Sequence, residues 1–308
     1  REYLRMASVI PILLLFLCVL VSILIPLNTG ILQGLHKFRM LAFMAGGFGI
    51  TKCLMCVVLV LAGLGLNGIM LSIILSVLCV GYISFRPIKQ HLMIGRESLG
   101  QGIGYSMPNI VPIFLANFTF AVMVQVDVIM VKHFFTPQEA GVYSSAAIIG
   151  KAVMYLPGAI VMALFPMVAS NQARNESTLH LLVKAMSITL LLSGGGAIVA
   201  YLFPDIIVST FFGERYAPAS RILGLFALAM LPCAIIMVVM NYNLARGNKF
   251  FAYLMPVFAV LKIIGIISFH DKLTSVLMVV LCTGTLCVAM LFLLLTLDYC
   301  RHRLYFKK

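Results

Sequence analysis

Apolar runs follow one another along this chain with only short polar breaks, and no other feature constrains its fold so strongly. They cover residues 6–27, 41–63, 68–85, 105–131, 142–169, 185–202, 222–242, 250–269 and 273–297. A helix needs about 20 apolar residues to cross a bilayer, and most of these runs reach or approach that length. In hydrocarbon every backbone amide must bond within the protein, and no strand-like alternation is present, so the runs read as helices. The expected fold is an all-α polytopic bundle of about nine transmembrane helices. Composition agrees: 62% of residues are hydrophobic and 10% are charged, against about 25% charged in soluble domains.

A net charge of +13 raises the question of a nucleic-acid partner, but the positions of the charges exclude one. Lys37, Arg39, Arg86, Lys89, Arg96, Arg174, Arg246, Lys249, Arg301, Arg303, Lys307 and Lys308 fall on one set of alternate loops. The other set carries only Arg1, Arg5, Lys132, Arg215, Arg221 and Lys272, together with Glu2, Glu139, Asp205, Glu214 and Asp271. This is a topogenic bias, and it places the richer loops and the C-terminal tail in the cytoplasm. The longest basic linker, residues 86–104, divides a first lobe of three spans (1–85) from a second of six spans and a basic tail (105–308). The start then falls outside, although the chain opens on Arg1 with no export signal. The expectation is an N-terminally truncated chain lacking roughly three upstream spans.

Cys18, Cys53, Cys56, Cys79, Cys233, Cys282 and Cys287 lie within apolar runs, where a thiol acts as a small hydrophobe. The CLMC at 53–56 has no second pair or neighbouring His, so no metal site is expected. Gly194–Gly196 and the small-residue stretch GVYSSAAIIGKA read as close helix packing. Pro112, Pro157, Pro166, Pro232 and Pro256 are expected to interrupt their helices.

The chemistry lies in the ionisable groups inside the spans. Lys52, Lys151 and Lys262 each have a long apolar stretch on at least one side, and Asp127 stands near the end of its run. Such residues face a bundle interior or wet cavity, because a charge at the bilayer centre costs about 2.5–3.5 kcal/mol. Asp127 has a second reading: Lys132 is about 7.5 Å of helix rise away, so the carboxylate could reach the outer interface. Three lysines against one aspartate predict a cationic cavity that binds an anion. In it Asp127 pairs with a lysine or couples to an ion, and Asn117 and Gln125 add polar lining.

Three stretches carry a family resemblance. They are ILQGLHKFRMLAFMAGGFGITKCLMCVVLVLAGLGLNGIM at 31–70, VDVIMVKHFFTPQEAGVYSSAAII at 126–149, and ALFPMVAS at 163–170. In order and spacing the chain resembles the O-antigen (Wzx-type) polysaccharide flippases of the multidrug/oligosaccharidyl-lipid/polysaccharide exporter superfamily. The resemblance implies a two-lobed fold of twelve or more helices around a cationic cavity. Its cargo would be an undecaprenyl-diphosphate-linked oligosaccharide, moved across the bacterial inner membrane for surface polysaccharide biosynthesis. The bilayer and polysaccharide polymerase machinery would be its partners. No catalytic residue and no cofactor are expected, only coupling to a proton or sodium gradient. A multidrug or cation exporter of the same superfamily is the alternative, but it would need acidic cavity residues. A membrane-embedded polymerase or ligase is a further alternative. Asp205, Glu214 and Arg215 of the longest outer loop could serve such chemistry but read more plainly as solvated charges, and the histidines are scattered without a metal or acid–base spacing.

Overall fold

The computed structural model describes residues 10–35, 37–94, 107–174 and 176–305. Among these residues the secondary structure is helical throughout, so the all-α reading holds. Arg1, Arg5 and the later part of the 86–104 linker lie outside the described residues. Eight helical stretches are long and apolar enough to cross a membrane. One of them, Phe38–Phe85, is 48 residues long and contains two helices joined at a sharp turn.

The chain forms two compact units, Arg1–Gly104 and Tyr105–Lys308. In the first, α1 (Ile10–Ser22) runs almost directly into α2 (Leu24–Gly34), followed by α3 (Phe38–Leu59) and α4 (Gly65–Ile94). Helices α3 and α4 pack together as a hairpin. Their turn needs left-handed backbone at Gly63 (φ 84°) and Gly65 (φ 49°), which costs glycine little and other residues much. The second and third apolar runs are therefore separate passes. Leu32, Leu41, Met44 and Val80 form a small core. The Asn28 amide donates to Gly81 O (3.1 Å) and Ser84 Oγ (2.8 Å), fastening α2 to α4. Most other apolar side chains of this unit are exposed, Leu61 to 82%, which suits a lipid solvent and not water.

The second unit holds α5 (Met107–Phe134), α6 (Pro137–Tyr155), α7 (Gly158–Ala173), α8 (Leu179–Leu202), α9 (Pro204–Phe212), α10 (Ser220–Ala245), α11 (Phe250–Ser268) and α12 (Leu273–Tyr305). Helix α10 is its axis, with 78% of its apolar window buried and α6, α7, α8 and α12 packed around it. Polar groups tie these helices: Ser193 Oγ donates to Val153 O (2.9 Å), and the Thr178 and Tyr242 hydroxyls pair at 2.9 Å.

Several boundaries differ from the sequence reading. Helix α6 starts at Pro137, five residues earlier than its apolar run. There Thr136 and Glu139 form a capping box and Pro137 occupies the first turn. Of the five prolines, only Pro157 separates two helices, α6 and α7. Pro112, Pro166, Pro232 and Pro256 lie inside continuous ones, since neighbouring packing lets membrane helices absorb one lost amide bond. The stretch after residue 203 is not an irregular loop but α9 and a 3₁₀ segment, Glu214–Ala219. Of the three clustered glycines only Gly196 is tightly packed. A Cβ there would lie 2.9 Å from Leu156 Cδ1, whereas Gly194 and Gly195 have open space. The closest approach is at Gly150, where a Cβ would stand 2.3 Å from the Phe226 ring.

Candidate functional site

The buried charges of the second unit meet at one place. Helices α5 and α6 form a hairpin whose turn is Phe135–Thr136. Asp127 lies seven residues before the end of α5 and Tyr143 six after the start of α6, so the hairpin sets them at the same level. Tyr143 Oη donates to Asp127 Oδ2 at 2.9 Å. Lys151 is two turns further along α6, but helical side chains lean toward the helix N-terminus. That lean carries its ammonium back toward Asp127, leaving Nζ 3.7 Å from Oδ1. Helix α11 packs on α5, and the stacking of Phe134 on His270 (centroids 4.3 Å apart) pins their neighbouring ends. Lys262, six residues from the end of α11, thus comes level with Asp127, with Nζ 3.6 Å from Oδ1.

One carboxylate therefore sits between two ammoniums and a phenol. Exposure separates the three charges: the side chains of Asp127 and Lys262 are 0% and 1% exposed, that of Lys151 11%. Lys262 also donates to the Met123 carbonyl, one helical turn before Asp127. Lys151 donates to Gln125 Oε1 at 3.0 Å. Asp127 Oδ1 makes no hydrogen bond, so its tie to both lysines is electrostatic at just beyond hydrogen-bond range. Full burial disposes of the reading in which Asp127 reaches the outer interface.

The other candidates lie apart from this cluster. Lys52 belongs to α3 of the first unit and its side chain is exposed. Asn117 is exposed on α5 and its amide bonds back to Ile113 O (2.8 Å), which occupies it locally. Gln125 is exposed too, and it joins the cluster through Lys151. Of Asp127, Lys151 and Lys262, the first and last are sealed within packed helices, and the side chain of Lys151 keeps a small exposure. Sequence reasoning missed Tyr143 as a site residue. Its signal was its position across the 135–136 turn from Asp127, at nearly equal distance along each helix. The Met123 carbonyl had none, because a backbone group carries no sequence mark.

The described residues contain no cluster of His, Cys, Asp and Glu fit to hold a metal ion. Away from the charges, α8 (Leu182, Met186, Leu190) and α12 (Phe292, Leu295, Thr296) line an open groove of about 430 Å³. Its lining carries no charged side chain and is almost wholly apolar.

Residues 2–221 match the family described as polysaccharide biosynthesis protein. The chain belongs to that family. The matched region holds Lys52, Asp127, Tyr143 and Lys151, while Lys262 lies beyond it. No curated protein and no solved structure matches the chain. A polysaccharide biosynthesis protein built of membrane-crossing helices works at the lipid bilayer, and lipid-linked sugar is the form of saccharide suited to that setting.

Proposed function

We propose that this polysaccharide biosynthesis protein is a flippase, and a transporter rather than an enzyme. It carries an undecaprenyl-diphosphate-linked oligosaccharide across the bacterial inner membrane by alternating access, for surface polysaccharide such as O-antigen of lipopolysaccharide. The observation that carries this reading is the buried cluster of Asp127, Lys151 and Lys262, whose formal charge is +1. A positive charge held in low dielectric attracts a phosphate and repels a cationic drug. The same cluster weighs against a multidrug or cation exporter, since its one carboxylate already has two ammonium partners. Lys52, a cation within an apolar helix of the first unit, is proposed as a further contact for the anionic cargo. The basic loops favour a cytoplasmic C-terminus, an ion gradient supplies the drive, and the polymerase machinery receives the product.

Deletion of the gene tests this. Lipid-linked repeat units are expected to accumulate in the cytoplasmic leaflet, measured by lipid extraction and by the loss of surface polymer. Normal surface polymer together with raised drug sensitivity would reject the flippase in favour of the drug exporter.

A further inference from the structure

We propose that the ionic cluster divides into a fixed pair and an exchangeable arm. Asp127 and Lys262 stay together, while Lys151 with the side-chain amide of Gln125 forms the site that takes the phosphate oxyanion of the lipid cargo. This rests on the reading of the cargo as a phosphate-bearing lipid and assigns the contact within it.

The assignment follows from what holds each group. Lys262 is 1% exposed and bound to the Met123 carbonyl as well as facing Asp127. An anion could reach it only by unpacking α5 from α11. Lys151 is the partly exposed member, and its one hydrogen bond goes to Gln125, an exposed neutral side chain. Gln125 and Asp127 are two residues apart on α5, so they project to well-separated sides of the helix. Lys151 thus lies between a buried anion and a surface amide.

Charge conservation makes the exchange feasible. If Lys151 turns outward, the interior retains one carboxylate and one ammonium, with Tyr143 still donating to Asp127 Oδ2. No buried charge is left alone, which is the arrangement that costs most. Gln125 now presents its oxygen to Lys151; rotation about its soft terminal torsion presents the NH₂ group to an incoming oxyanion instead. Lysine binds phosphate as a point charge without the two-pronged geometry of arginine. A point-charge contact of this kind gives a hold weak enough to release cargo on the far side, as passage through any carrier requires.

The test uses the full chain and one probe, undecaprenyl diphosphate carrying a fluorophore-tagged disaccharide. Affinity is measured in detergent and movement in proteoliposomes. Lys151→Met is expected to weaken binding at least tenfold and to reduce its dependence on salt, with thermal unfolding confirming a folded protein. The same substitution placed in an Asp127→Leu/Lys262→Met background is expected to cause at least an equal loss, because the pair does not touch the cargo and Lys151 no longer has a competing carboxylate. Should that background fail to fold, the charge swap Asp127→Lys/Lys262→Asp replaces it. Binding by Lys151→Met at the wild-type level overturns the proposal. So does a Lys151 effect that disappears in the altered background. If the wild-type chain binds the probe through Lys151 yet moves none of it, the flippase reading fails and the contact stands. If the wild-type chain does not bind, both fall.

Discussion

Asp127→Asn is the most telling single perturbation of the fold. The substitution nearly preserves shape and removes the only anion facing two ammoniums. Both Nζ atoms lie within 3.7 Å of the same oxygen, so they are less than about 8 Å apart. At an effective dielectric near 20, each attraction lost is about 4 kcal/mol, and the repulsion between the two ammoniums, present before and after, is no longer offset. Relaxation recovers part of this, since Lys151 can turn toward the surface, whereas Lys262 at 1% exposure cannot. Removing one partner of a buried ion pair typically costs about 3–5 kcal/mol, a shift in the folding equilibrium of roughly a hundredfold to several thousandfold. The assay is unfolding in mixed micelles titrated with denaturing detergent, followed by circular dichroism. Thiol labelling of Cys233, buried on α10 in the same core, gives a second readout. Adding Lys262→Met to Asp127→Asn is expected to recover at least half of the loss, because it removes the stranded charge. An Asp127→Asn variant within about 1 kcal/mol of wild type would refute the claim that this carboxylate neutralises the interior.

Three smaller changes check other parts of the argument. Tyr143→Phe removes the hydroxyl that donates to Asp127 Oδ2, and a hydrogen bond to a charged group is worth about 1.5–3 kcal/mol. The same titration should show a loss in that range, smaller than that of Asp127→Asn. Gly150→Ala sets a methyl 2.3 Å from the Phe226 ring, and overpacking costs about 1–3 kcal/mol. Thermal unfolding should fall and then partly recover with Phe226→Leu. Thr136→Ala breaks the capping box at the start of α6 and should cost about 1 kcal/mol, read as faster amide exchange in the first turn of α6.

The sequence alone determined that this chain crosses a membrane several times as helices. Hydropathy is a local property, and a run of some 20 apolar residues has few alternatives in a bilayer. It also marked Asp127, Lys151 and Lys262, because a charge among apolar neighbours is costly enough to stand out in one dimension. Partnership was not legible there. Whether Lys262 meets Asp127 depends on α11 lying beside α5 in one axial register, and a shift of a single turn would separate them by about 5 Å. The reach of Lys151 depends on the α5–α6 turn and on its side chain leaning toward Pro137, and the burial of Asp127 on the helices packed around it. Tertiary packing set Asp127 and Lys262 together as a buried pair with Lys151 at its edge. The physical reason is that burial energy is read along the chain, whereas Coulomb energy depends on distances that only the assembled helices set.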